Sequence, residues 1–196
     1  MPLRRLESEI IRDAILAASG KLGRAMDGPG VPIKNLPDGS TIVNTKDLST
    51  PTSHWRRSVY LANQRIGGTP QPSITLLAVF DQPVLKTNCT QRRNSAVVVQ
   101  SLTLLNDKFV LEQAQHFADR LLGEAGVVRH DQIQLAFRIT LTRPPTQDEA
   151  SWSLRFYDEQ QKAYQPVTAS LQEAEREALA SLCHALFNFN NFLYVE

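Results

Sequence analysis

Two four-residue signatures constrain this chain more than anything else in it. Thr146-Gln147-Asp148-Glu149 and Ser170-Leu171-Gln172-Glu173 each set a hydroxyl three residues ahead of a glutamate. At that spacing each side chain satisfies the other's free backbone amide, which opens a helix and fixes where it begins. The boxes predict helices over about 147–161 and 171–187. The second helix carries a stripe of Leu171, Ala174, Ala178, Leu179, Leu182 and Leu186, the period of a helix with one buried face. Asp107 reads as a further cap, for a helix with face Val110, Ala114, Phe117 and Leu121 that ends near Gly123 and Gly126. A helix from about 131 to 141 halts before Arg143-Pro144-Pro145. Phe187, Phe189, Phe192 and Tyr194 form an aromatic tail suited to docking on a core.

The N-terminal half reads differently. Over residues 3–22, Leu6, Ile10, Ala14, Ala17 and Leu22 share one helical face, with Glu7, Arg12, Asp13 and Lys21 off it, and Asp27-Gly28-Pro29-Gly30 stops the helix. Glu7 and Glu9 suit the positive end of its dipole. Residues 28–53 form a long connection punctuated by Pro29, Pro32, Pro37, Asp38-Gly39 and Pro51, in which only Thr41-Ile42-Val43 has strand character. Trp55-Arg56-Arg57-Ser58-Val59-Tyr60-Leu61 alternates, which predicts a short hairpin between 41–43 and 56–61. Gly67-Gly68-Thr69-Pro70 is another break, ahead of an apolar run over 74–80. Residues 96–105 are rich in β-branched side chains and favour a strand by propensity, while the Asn106-Asp107 cap that follows argues for a helix. The fold class expected is mainly α: one helical domain over 1–196 with a small antiparallel β element, a long irregular loop at 28–53 and a helical part at 96–196.

At 196 residues, 42% hydrophobic and 21% charged, the chain can bury a core and is not disordered by composition. The net charge of +1 gives no global push towards nucleic acid or an anionic membrane. The arginines nonetheless come in pairs, Arg4-Arg5, Arg56-Arg57 and Arg92-Arg93, whose planar forks suit carboxylate, phosphate or sulfate and equally suit internal pairing with Asp and Glu. Cys89 and Cys183 show no C-x-x-C or haem-attachment pattern, and His54, His116, His130 and His184 have no zinc-ligand spacing. Cys183 and His184 are adjacent, so on a helix they point about 100° apart and converge poorly on one metal. Cys183 reads as a small buried hydrophobe, and a disulfide to Cys89 stays open as an alternative. No run reaches the ~18 apolar residues of a membrane span. The N-terminus lacks a signal peptide's apolar core, so the chain as it stands would remain in the cytoplasm. No G-x-S-x-G, Walker-A, G-x-G-x-x-G or H-E-x-x-H motif is present, and His116 reads as a helix-surface residue. No catalytic residues are assigned.

Recognition has two candidate surfaces. Asn88-Cys89-Thr90-Gln91-Arg92-Arg93-Asn94-Ser95 is a polar, arginine-bearing loop beside an apolar run, and it contains a formal glycosylation sequon. Arg56, Arg57, Tyr60 and Arg65, with Trp55 beside them, form the other. Strand alternation would put Arg56 and Tyr60 on one face, able to hold an anion or sugar hydroxyl, with Trp55 free to stack. The competing reading is an arginine network that ties this segment to the acids of the first helix. Proximity of Arg92 and Arg93 would favour the ligand.

Several segments together resemble one family: Arg4-Arg5-Leu6-Glu7-Ser8-Glu9-Ile10-Ile11-Arg12-Asp13-Ala14, Asp27-Gly28-Pro29-Gly30-Val31, Trp55-Arg56-Arg57-Ser58-Val59-Tyr60-Leu61, Phe80-Asp81 with Asn88-Cys89-Thr90, Gln100-Ser101-Leu102 with Leu105-Asn106-Asp107, Arg143-Pro144-Pro145-Thr146, and Cys183-His184-Ala185-Leu186 with Phe192-Leu193-Tyr194-Val195. The chain resembles the planctomycete-type PSD domain of unknown function, found at the C-terminus of large proteins that also carry planctomycete-type cytochrome c domains. The resemblance also reads 96–105 as helix. It implies that this chain is the C-terminal portion of such a domain, preceded in the family by an earlier part of the domain, other modules and an export signal. It implies an exported, periplasmic or cell-surface location at full length, with haem confined to the other modules and no cofactor in this chain. Phe187-Asn188-Phe189-Asn190-Asn191 departs from a more polar family segment. Three readings follow. The chain is a non-catalytic binding or assembly module engaging anionic glycan or partner domains through Arg56, Arg57, Arg92 and Arg93. Alternatively it is part of a polysaccharide-acting enzyme completed by an N-terminal region, with Asp81 and Asp107 gathered near His54 or Tyr60. The third reading is a structural C-terminal cap.

Overall fold

The structure, a computed structural model, describes residues 3–48, 50, 52–61, 65–66, 69–70, 74–83, 95 and 98–195. In chain order the elements are β1 (Arg4–Arg5), α1 (Ser8–Ala18), β2 (Ile33–Asn35), β3 (Thr41–Val43), β4 (Arg65–Ile66), β5 (Thr69–Pro70), α2 (Thr75–Val79), α3 (Val98–Asn106), α4 (Lys108–Ala125), α5 (Arg129–Leu141), α6 (Gln147–Tyr164), α7 (Leu171–Phe187), α8 (Asn190–Leu193) and β6 (Tyr194–Val195). The fold is mainly α, as the caps and stripes imply.

The helical part is built on apolar periodicity. Helix α7 lies against both α4 and α6, and α5 joins α4 to α6. Val110, Ala114, Phe117 and Leu121 of α4 are all buried, as are Ala174, Ala178, Leu179, Leu182 and Leu186 of α7. Leu171, at the first position of α7, stays exposed. Phe117 stacks on Phe187 with ring centroids 5.8 Å apart, and Phe187 meets Phe192 at 5.4 Å. Each such side chain contributes roughly 2–3 kcal/mol through burial. The caps behave as expected. Thr146 and Glu149 exchange both hydrogen bonds of a capping box, and Asp107 accepts from the amides of Phe109 and Val110. At Ser170 the box is shifted: its hydroxyl accepts from the Glu173 amide, but the Glu173 carboxylate reaches the amide of Ala169. Segment 98–106 is helical. Its apolar side chains Val98, Val99, Leu102 and Leu105 are exposed, while Gln100 and Leu104 face inward.

Two expectations for the N-terminal half are corrected. Helix α1 begins at Ser8 because Arg4 and Arg5 pair as β1 with Val195 and Tyr194 of β6, which joins the two ends of the chain. Its buried side is Ser8, Ile11, Arg12, Ile15 and Leu16, while Ile10 is exposed. The polar Arg12 therefore lies on the core face, one position away from the stripe inferred above.

The second correction concerns the hairpin. Strand β3 pairs with β2, Ile33 opposite Val43 and Asn35 opposite Thr41, and not with 56–61. The Asp38-Gly39 turn closes it: Gly39 takes φ +83°, and the Asp38 carboxylate accepts from the amide and hydroxyl of Ser40. Aspartate-glycine favours such turns because glycine reaches positive φ without a Cβ clash. Segment 56–61 is no strand. It runs through one-turn 3-10 helices at Ser53–Trp55 and Ser58–Tyr60, with single parallel bridges from Arg56 to Gly23 and from Leu61 to Val31. A small second core of Val31, Leu61, Ile74 and Leu77 lies between the hairpin and α2.

Candidate functional site

The two described arginine pairs divide, one partner inward and one outward. Arg4 is exposed and meets Glu7 at 3.7 Å, whereas Arg5 is buried. The Arg5 guanidinium donates to the carbonyls of Phe80 (3.0 Å) and Ser95 and to the Asp81 carboxylate (2.9 Å), lying 5.3 Å from the Phe80 ring. Asp81 is a hub of its own: Ser95 donates to it from amide and hydroxyl at 2.8 and 2.7 Å. Burial pushes the Asp81 carboxyl up, but the Ser95 and Arg5 hydrogen bonds outweigh it and hold the group below the usual carboxylate range.

Arg12 is the residue that sequence reading missed. Its side chain is 1% exposed, yet it is charged, and its acceptors are mostly main-chain carbonyls. It donates to the carbonyls of His54 (2.8 Å) and Arg56 (3.0 Å) and to the Ser58 hydroxyl (3.2 Å), over the Phe109 ring at 5.2 Å. Asp13 stands 3.6 Å from the guanidinium and accepts from the Ser58 amide and hydroxyl. Burial lowers the Arg12 pKa to about 10, with Asp13 raising it in opposition, so the group keeps its charge at neutral pH. Such a buried cation persists only where acceptors replace its hydration. A signal was legible: Ser8, Ile11, Ile15 and Leu16 place Arg12 inside their stripe.

Arg56 repeats the device one step further out. It is buried, and it donates to the carbonyls of Pro29 (2.6 Å) and Asp27 while lying 3.8 Å from the centre of the Tyr60 ring. The Tyr60 hydroxyl accepts from the Asp27 amide at 3.1 Å. Arg12 thus fixes the backbone of Arg56, and Arg56 fixes 27–29. The anticipated network exists, though it runs chiefly to main-chain carbonyls rather than to the acids of α1.

Arg57 points elsewhere. It is half-buried, its guanidinium carbon is 5.6 Å from the Tyr60 ring, and its Nε is shielded from water without a hydrogen-bond partner. No carboxylate pairs with it among the described residues. Arg56, Arg57 and Tyr60 are therefore together, although through a turn rather than through strand alternation. Arg65 is described in the backbone of β4, paired with Pro70. Arg92, Arg93, Cys89 and the sequon lie outside the described residues, and with them the question of a Cys89–Cys183 disulfide.

The other singled-out groups are dispersed. Asp107 is occupied as the cap of α4, its carboxyl raised by burial against the pull of two amides. His54 packs on Trp55 at 4.3 Å. Cys183 is a fully buried thiol whose pKa burial raises, and His184 hydrogen-bonds the Leu104 carbonyl at 2.8 Å. Among the described residues no group of three His, Cys, Asp or Glu gathers to hold a metal, and no helix is long and apolar enough to cross a membrane.

Set against known proteins, residues 1–157 match the model of the PSD1 family, described as a protein of unknown function (DUF1553), and the chain belongs to that family. No curated protein and no solved structure matches it. The match ends inside α6, yet α7 beyond it packs on α4 and α6, and β6 pairs with β1.

Proposed function

We propose that the chain is a non-catalytic binding or assembly module, the C-terminal portion of a PSD-type domain, which presents Arg57 and Tyr60 to an anionic partner. The carrying observation is the contrast within one pair: Arg56 spends both terminal nitrogens on the Pro29 and Asp27 carbonyls, whereas Arg57 makes no side-chain hydrogen bond among the described residues, the Nε of each being shielded without a partner. A guanidinium held in place by an aromatic ring loses little freedom when it takes up a carboxylate or sulfate. An acidic glycan suits this reading, since Tyr60 offers a sugar ring an aromatic edge while Arg57 offers its charge a fork. Arg65, Arg92 and Arg93 are the further candidate contacts. In a longer exported protein, haem would belong to other modules and this chain would supply attachment.

A structural cap is the second reading, and a specific observation favours it: Arg5, Arg12 and Arg56 are all used internally. Thermal unfolding separates the two. The wild-type chain and Arg57→Ala are melted with neutral, carboxylated and sulfated oligosaccharides at low and high salt. Binding to the native state raises its stability, and screening weakens an ionic contact. A midpoint raised only by the acidic sugars, less at high salt and not in Arg57→Ala, is the expected result. No shift with any sugar leaves the structural cap.

A further inference from the structure

Where α1 ends, the chain turns at Gly20 (φ +76°) and residues 20–24 run beside the second half of α4, leaving an open cleft of about 610 Å³. Lys21, Arg24, His116, Asp119, Arg120 and Glu124 bring its charge. The two acids are already neutralised. Asp119 takes a two-pronged bond from Arg176, at 2.9 Å on one prong, and Glu124 accepts from Arg120 at 2.7 Å. Arg120 is spent as well, because it also donates to the carbonyls of Ala17 and Ala18 that close α1.

Two cations are left over. Arg24 is exposed, and neither it nor Lys21 forms an ion pair among the described residues. Lys21 lies 5.1 Å from the Trp55 ring, whose edge meets His116 at 5.5 Å, and the Trp55 Nε1 is shielded without a hydrogen-bond partner. Ser19, which lines the cleft, donates inward to Gln113, a fully buried side chain beneath it. The Gly23 amide donates to the Trp55 carbonyl at 2.9 Å, which ties the segment bearing both cations to that of Trp55. Excess positive charge lining an open cleft, with an aromatic ring behind one of its cations, describes a receptor for an oxyanion.

We infer that this cleft binds a carboxylate or phosphate group between Lys21 and Arg24 and against His116, with the Trp55 ring behind Lys21. The site is separate from Arg57 and does not depend on it. Its ligand is a small free anion or the acidic group of a longer sugar, and the experiment distinguishes these sources. Trp152→Phe leaves Trp55 as the chain's single tryptophan, since there are two. Its fluorescence is then titrated with inorganic phosphate and, separately, with trigalacturonate, in that background and with Lys21→Ala/Arg24→Ala or Arg57→Ala added. Arg24 is exposed and Lys21 is half-buried with no ion pair among the described residues, so the double variant retains the fold, which a coincident melting curve checks.

The expected result is a saturable change with at least one ligand, weakened about tenfold or more in the double variant, as loss of two exposed charge-assisted bonds implies, and retained in Arg57→Ala. Saturation with phosphate identifies a free-anion site, and saturation with trigalacturonate alone identifies a sugar site. No saturable change with either ligand, or equal affinity in the double variant, overturns the inference. Failure in Arg57→Ala alone would instead assign the effect to the other surface.

Discussion

The two halves of this molecule use arginine in opposite ways. In the helical part, Arg129, Arg143 and Arg176 sit at the surface and meet carboxylates: Asp158 and Glu175, Glu149, and Asp119 and Glu177. Such exposed pairs are worth little, about 1 kcal/mol or less each, because solvent screens them. In the N-terminal part Arg5, Arg12 and Arg56 are buried and bind mainly main-chain carbonyls. There the segments over 23–31 and 52–61 have little regular structure to satisfy their own carbonyls, so the guanidinium substitutes for a missing ladder. Apolar stripes organise the helical half, and charged staples organise the N-terminal half. Arg120 links them, donating from α4 to the last carbonyls of α1.

Breaking each half should have a different signature. Phe117→Ala, at the stack with Phe187, is expected to cost about 3–5 kcal/mol of global stability in urea unfolding, with the helical content lost in the same transition. Arg12→Met is expected to cost about 3–5 kcal/mol as well, because it strands several buried acceptors at once. Its distinguishing mark is early exposure of 52–61 to proteolysis, before α4–α7 yield. A cost below about 1 kcal/mol for Arg12→Met would mean that the carbonyls find other donors. Asp107→Ala should cost about 1 kcal/mol, a lost cap seen as a small, uniform fall in melting temperature.

The smallest effect concerns pH. Hydrogen bonds from Arg143, opposed by burial and joined by the Thr146 amide, lower the Glu149 carboxyl to about 2 from an ordinary 4.5. A carboxylate depressed in the folded state contributes stability that is complete above the unfolded value and is lost as pH falls through the folded one. Stability from this group should therefore fade between pH 4.5 and about 2. Glu149→Gln should flatten that part of the acid limb and, with Arg143 partly exposed, change neutral-pH stability by about 1 kcal/mol or less. An unchanged acid limb would contradict the pairing.

The same contrast decided what could be read from sequence. Helices α4, α6 and α7 announce themselves because each start carries a side chain that satisfies free amides, and in α4 and α7 a buried stripe also repeats with the helical period. Asp107, Thr146 and Ser170 all cap where expected. The staples carry no such period. Arg12 looks like a polar residue that belongs on the outside, and only the three-dimensional return of 54–58 makes its burial tolerable. The expected hairpin differs for a related reason: alternation in 55–61 imitates a strand, while the pairing is decided by the Asp38-Gly39 turn between β2 and β3. Arg56, Arg57 and Tyr60 do come together, but by a 3-10 turn, and the division of the Arg56-Arg57 pair into a staple and a free cation depends on where 27–29 lies.

The most direct test is hydrogen exchange on the wild-type chain and on Arg12→Lys, compared segment by segment under native conditions. Lysine keeps the charge but cannot reach three acceptors with a fork. The expected result is faster exchange at 23–31 and 52–61, with α4 to α7 unchanged. Unchanged protection in those two segments, or an equal loss across the helices, would contradict a structure whose irregular half is held by buried arginine.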